Sequence, residues 1–119
     1  MKYLLLFAAD EHAWMSMPES DREDAVARIG RWFGEHARAG RIVEGRRLQG
    51  QSTAKTVVLG PAGKSRVPVV NDGPFVESKE AIGSYAVIEV PGLDEAVEVA
   101  RSWPAGGLVE VRPIAHDPD

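Results

Sequence analysis

The densest run of side chains able to do chemistry is Val70-Asn71-Asp72-Gly73-Pro74-Phe75-Val76-Glu77-Ser78-Lys79-Glu80. Asp-Gly-Pro is turn chemistry: the carboxylate accepts hydrogen bonds from nearby backbone N–H groups, Gly permits positive φ, and Pro fixes the exit. Phe75 is then expected to pin the turn to the core. If Asp72 faces a cavity, the same carboxylate becomes an acid–base or polarising group. Both readings stand at this stage. Glu77, Lys79 and Glu80 place three charges within four residues just beyond the turn. They form either a solvated cluster or the mouth of a site, in which Lys79 would hold an anion as a point charge.

A second candidate is His12, in Asp10-Glu11-His12 after the first apolar run. Neighbouring carboxylates favour the charged imidazole, and a His on a loop at a strand end can serve as a general base. A plain surface His fits the same residues. Glu110 and Arg112 alternate along the last apolar run and so share one face of a strand. On a pocket side, Arg112 would bind a carboxylate in bidentate fashion; on a subunit interface, the two would form an ion pair. His36 lies beside Glu35 on a helix and is expected to be exposed or half-buried, and His116 is in the tail. The three histidines show no metal-ligand spacing, so no metal is expected. Trp14, Trp32 and Trp103 suit either core packing or an aromatic pocket. The serines lack triad context, and the glycines form neither a phosphate-binding loop nor a dinucleotide fingerprint.

These residues need a scaffold, and the composition bounds it. The chain has 119 residues, 44% apolar and 27% charged, the balance of one ordinary globular domain over 1–119. There is no cysteine, which removes disulfides, thiolate nucleophiles and Cys-ligated metals. A net charge of −4 with both signs interspersed disfavours nucleic-acid binding, for which a basic face is needed. Met1-Lys2 followed by Tyr3 to Ala9 superficially resembles a secretory leader, but Asp10, Glu11 and His12 follow at once. The run is read as a buried strand, the location as cytoplasmic, and no membrane span is expected.

Lys2 to Ala9 reads as a central strand covered on both faces. Asp10 to Met17 reads as a loop. Two capping boxes, Ser16-x-x-Glu19 and Ser20-x-x-Glu23, are candidate starts for a helix carrying Val26, Ile29, Phe33 and Ala37 on one face and stopped by Gly40. Arg41 to Leu48 and Lys55 to Leu59 read as strands, and Val67 to Val70 as the return strand of a hairpin. Asn71 to Lys79 reads as a loop. Gly83 to Val90 alternates as a strand. Leu93, Ala96, Val97, Ala100 and Trp103 have helical spacing up to Pro104, and Leu108 to Ile114 closes the chain as a strand. The pattern is α+β: a ferredoxin-like βαββαβ domain with an inserted β-hairpin.

Asp72-Gly73-Pro74-Phe75, followed by Glu77, Lys79-Glu80 and Gly83, resembles the DGPF branch of the YCII-related protein family. Thr53 to Val57, Leu93 to Ala96 and Val109 to Pro113 extend the resemblance over nearly the whole chain. It implies a ferredoxin-like domain that dimerises through its sheets as an α+β barrel, with a pocket between sheet and helices. Some family members are proposed enzymes with a His–Asp pair, and DGPF-type members often accompany extracytoplasmic-function sigma factors. In the YCII branch the proposed His lies on the first helix, about three turns before the glycine that ends it. Counting back from Gly40 reaches the vicinity of Ile29, where this chain has no His, so the pair does not transfer; only the Asp maps, to Asp72. Two function classes follow. One is a cofactor-free small-molecule pocket protein, an enzyme or a binder for a small anionic or aromatic metabolite. Asp72 and His12 would be its catalytic groups, with Glu77, Lys79, Glu80 and Arg112 at the ligand. The other is a non-catalytic regulatory module working with a sigma factor.

Overall fold

The computed structural model describes residues 1–63, 67–75 and 79–116. In chain order these form β1 (Lys2–Asp10), α1 (Glu11–Ser16), α2 (Glu19–Arg38), β2 (Ile42–Arg47), a single 3-10 turn (Gln51–Thr53), β3 (Lys55–Val58), β4 (Val69–Asp72), β5 (Glu80–Glu89), α3 (Leu93–Arg101) and β6 (Leu108–Pro113). Four strands make one antiparallel sheet in the order β2-β5-β1-β6, and β3 pairs with β4 in a separate two-stranded sheet. This α+β arrangement is compatible with a ferredoxin-like fold. Among the described residues no helix is long and apolar enough to cross a membrane.

Strand alternation decides which side of the main sheet is buried. Tyr3, Leu5 and Phe7 of β1 and Ala86 and Ile88 of β5 point one way. They join Trp32 of α2 and Ala96, Val99 and Ala100 of α3 in one core. Burying each large apolar side chain is worth roughly 1.5–3 kcal/mol. The other side carries Leu4, Leu6, Tyr85 and Val87, which are only half-buried. Within one chain the helices cover one face of β1, and the uniformly apolar strand leaves half-buried leucines on the other.

α2 turns a different stripe inward from the one expected. Ala25, Ile29, Trp32 and His36 are its buried residues, whereas Val26 and Phe33 are half-buried and Ala37 is exposed. The stripe is rotated by one residue, about 100°. Trp32 drives the rotation. Its indole packs edge-on to Phe7 at 5.4 Å and to Trp103 at 5.1 Å, and its Nε1–H donates to Ser102 Oγ at 2.9 Å. A buried indole with a satisfied N–H outweighs Ala37 as a core residue.

Neither capping box starts α2. Its N-cap is Pro18, with no side-chain cap hydrogen bond. The entry is held instead by Arg22, whose guanidinium donates to the carbonyl of Met15 at 3.2 Å and to that of Met17. The C-terminus behaves as expected. Gly40 has φ +76, its N–H donates to Ala37 O at 3.0 Å, and Arg41 N–H donates to His36 O at 2.9 Å. This is the Schellman pattern, in which a left-handed glycine closes the last carbonyls. Asp10 to Met17 is not a loop. Asp10 accepts from Ala13 N at 3.0 Å and caps the six-residue α1. An Asp N-cap was visible in the sequence, but a helix this short has no periodicity to confirm it.

Candidate functional site

A cavity of about 560 Å³ opens where β1 runs into α1. Its position follows from register. Phe7 of β1 lies opposite Ser84 of β5 and Val109 of β6, and Ser84 lies opposite Arg47 of β2. Arg47, Ser84, Phe7 and Val109 thus form one row across the helix-facing side of the sheet. The first three line the cavity, together with Trp14 and Met15 of α1, Ile29 of α2 and Trp103 after α3. Phe7 and Trp103 stack at 3.8 Å between ring centroids. The floor and walls are aromatic and apolar apart from the buried Ser84, and the charged groups Asp10, Glu11 and Arg47 stand at the rim.

Most of those rim groups have partners. Both oxygens of the Glu11 carboxylate accept from Gln51 N, at 3.1 and 3.2 Å. Gly50 permits this approach, since a Cβ there would stand 2.6 Å from Glu11 Oε1. The pair ties the loop after β2 to α1 and closes one side of the cavity. Asp10 caps α1 and lies 3.9 Å from Lys79 Nζ. Arg47 is different: among the described residues its guanidinium has no hydrogen-bond or ion-pair partner.

The residues singled out from sequence are not brought together in one place. Asp72 ends β4, is 87% exposed, pairs with Lys55 Nζ, and does not line the cavity. Gly73 has φ +94, and its N–H donates to Ala54 O at 2.8 Å, so the turn at Asp-Gly-Pro is real. Phe75 is 88% exposed. The expectation that it pins the turn to the core is corrected, because the turn belongs to the β3–β4 sheet and sits away from the helix-covered core. His12 is exposed on α1, one residue beyond Glu11. Lys79 is exposed beside Asp10, and Glu80 is exposed at the start of β5, opposite Asp10. Glu77 lies outside the described residues. Arg112 pairs with Glu110 at 2.6 Å. Register places Arg112 opposite Leu4 and Glu110 opposite Leu6, on the open face and away from the cavity. Arg47 and Ser84 are site residues that sequence reasoning did not pick out, whereas Trp14 and Trp103, which suited either core packing or an aromatic pocket, both line the cavity. One signal for Arg47 was available: it sits in a strand where inward positions are otherwise apolar or glycine.

His36 is buried, which corrects the expectation of an exposed or half-buried side chain. Arg41 Nε–H donates to its Nδ1 at 2.8 Å, so the ring carries its proton on Nε2 and donates to Ser102 Oγ at 3.2 Å. Ser102 in turn donates to Val99 O at 2.7 Å. Burial first, and the Arg41 charge second, push the imidazole below its ordinary value of 6.5, against a smaller opposing pull from Glu35. Every polar atom of this chain of bonds is engaged, and it fastens α2 to the end of α3. Among the described residues no three His, Asp or Glu side chains form a group able to hold a metal ion.

The chain is thus a small α+β domain, a helix-covered antiparallel sheet with a cavity between sheet and helices. The YCII-related domain model matches residues 1–116, and the chain belongs to that family. It is also similar to an uncharacterised protein of Rhizobium meliloti (strain 1021), with 30% identity over 119 residues, covering 97% of this chain and 93% of the relative.

Proposed function

We propose that the chain, a DGPF-type member of its family, binds a small metabolite in the cavity at the end of β1. The observation that carries this reading is the cavity itself. Phe7, Trp14 and Trp103 give it an aromatic lining, and its charged groups are confined to the rim. A volume of about 560 Å³ is in the range of small-molecule sites, which are typically apolar with a few convergent polar groups. In the catalytic form of the proposal His12 is the acid–base group, Lys79 holds an anionic group of the ligand, and no cofactor is used. Asp72 acts only if its carboxylate is required as such. Binding to the native state raises the melting temperature by mass action. A thermal-shift screen of aromatic and carboxylate metabolites is therefore expected to yield hits on wild type that weaken in Trp14→Ala. Hits unaffected by Trp14→Ala would overturn the cavity as the site. Asp72→Asn keeps turn chemistry while removing the charge; loss of a hit in that variant would bring Asp72 into the site.

The open sheet face supports a homodimer as part of this proposal. Leu4, Leu6, Tyr85 and Val87 form its apolar centre, with Glu44 and Arg46 on one edge strand and Glu110 and Arg112 on the other. A second copy turned about a twofold axis would cover the centre and present both signs of charge to both edges.

A second reading, a protein-contact module of the kind that works with a sigma factor, is favoured by the β3–β4 sheet. Val57, Val58, Val69 and Val70 are all about half exposed or more there. Co-purification with a sigma factor that is lost on Val57→Lys would support it.

A further inference from the structure

Arg47 is a charge in an unusual place. Its register partner Ser84 is 5% exposed, and the next residue in the row, Phe7, is 3% exposed. An arginine on the helix-facing side of an edge strand normally pairs or turns to solvent. Here it is exposed but also lines the cavity, and among the described residues it has no hydrogen-bond or ion-pair partner. The two carboxylates of the same rim are engaged, Glu11 by Gln51 N and Asp10 by the α1 cap and Lys79. Among the described lining residues Arg47 is therefore the charged group left without a partner, and an anionic ligand group would supply one.

The same carboxylates limit which anion fits. Asp10 and Glu11 stand at the cavity rim with their charges, so a dianion such as a phosphate monoester meets more repulsion than a singly charged group. A guanidinium fork matches a planar carboxylate in bidentate fashion. Beside it, the indoles of Trp14 and Trp103 and the ring of Phe7 offer flat apolar surface. Resting on the reading of the cavity as a ligand site, we infer that it takes a monoanionic, planar aromatic carboxylate, with Arg47 anchoring the carboxylate and the body of the ligand against Trp14 and Trp103.

Isothermal titration calorimetry with 2-naphthoate, 2-naphthamide, 2-naphthylmethylamine and 2-naphthyl phosphate tests this on wild type, Arg47→Gln, Arg47→Lys and Trp14→Ala. Wild type is expected to bind the naphthoate at least about tenfold tighter than the other three. Arg47→Gln should lose about tenfold or more for naphthoate and nothing for naphthamide, and Arg47→Lys should recover part of the loss, because a point charge replaces the fork. Trp14→Ala should weaken both probes. Equal binding of naphthoate and naphthamide, preference for the amine or the phosphate, or an Arg47→Gln variant that binds naphthoate like wild type each overturns the carboxylate anchor. Naphthamide binding that is lost in Trp14→Ala would meanwhile leave the cavity reading standing. Absence of heat from all four probes overturns the cavity reading for aromatic ligands and the anchor with it. Arg47→Gln is at an exposed edge position, and an unchanged melting temperature without ligand confirms that its fold is intact.

Discussion

At Arg47 and His36 two charged or chargeable side chains sit on the helix side of the sheet, and their surroundings give them opposite fates. His36 is ringed by donors and acceptors that need it neutral: Arg41 donates to Nδ1, and Nε2 donates to Ser102. The groups facing it are Arg41, Glu35, Ser102 and Trp32, and burial and Arg41 dominate. Its folded pKa lies below the unfolded value, so the unfolded chain takes up the proton first and stability rises with pH. The stability is fully present above about 6.5 and is lost as pH falls from there toward the folded pKa. Melting temperatures of wild type are expected to fall between about pH 7.5 and about pH 5.5, and His36→Asn should show a flatter profile over that window. Equal slopes would remove His36 as the cause. Gly107 makes a simpler demand. Its φ is +81, and a Cβ would stand 2.2 Å from Ala8 O. Gly107→Ala is expected to destabilise by at least about 2 kcal/mol in chemical denaturation. The burial of His36 could not be read from spacing, because helical periodicity reports apolar side chains and a His in the buried stripe reads as a polar position. For Arg47 strand alternation gave the facing but not the cavity.

At the scale of elements, the sequence identified all six strands and both long helices. It failed where a single large side chain or a short segment overrode the pattern. Trp32 rotated the buried stripe of α2, and Phe33 was displaced toward β2. There Gly45 makes room for it: a Cβ on Gly45 would lie 2.5 Å from Phe33 Cε1 and 3.0 Å from Tyr85 O. Gly45→Ala is therefore expected to cost about 1–3 kcal/mol through overpacking, read as a lower denaturation midpoint at unchanged slope. α1 escaped notice because six residues carry no period. Its importance is local: it supplies Glu11, Trp14 and Met15 to the cavity. The Asp-Gly-Pro-Phe stretch reads as a turn, but a turn motif does not say which sheet it belongs to. Membership in the β3–β4 sheet is what places Asp72 at a distance from the cavity.

At the scale of the whole molecule, one sheet has two unlike faces. A compact chain of this length has an expected radius of gyration of about 13.5 Å. The value here is 16.8 Å, with extents of 48 × 46 × 18 Å. The excess reflects a two-layer body with one uncovered sheet face and a separate β3–β4 sheet. A domain left in this state leaves Leu4, Leu6 and Val87 half-buried on its central strands, and pairing with a second copy would cover them. Sedimentation equilibrium is expected to give a dimer for wild type and a monomer for Leu6→Glu; a monomeric wild type would contradict the paired-sheet proposal.

The claim on which the functional account rests is that ligands enter the cavity at the end of β1, and the indole N–H resonances of the three tryptophans report on it directly. Trp14 and Trp103 line the cavity, whereas the Trp32 N–H is held by Ser102 in the core. On titration with 2-naphthoate the account predicts that the Trp14 and Trp103 signals move to saturation while the Trp32 signal stays nearly fixed. Perturbations gathered on Val69 to Asp72 or on the open sheet face, with both cavity indoles unmoved, would contradict it.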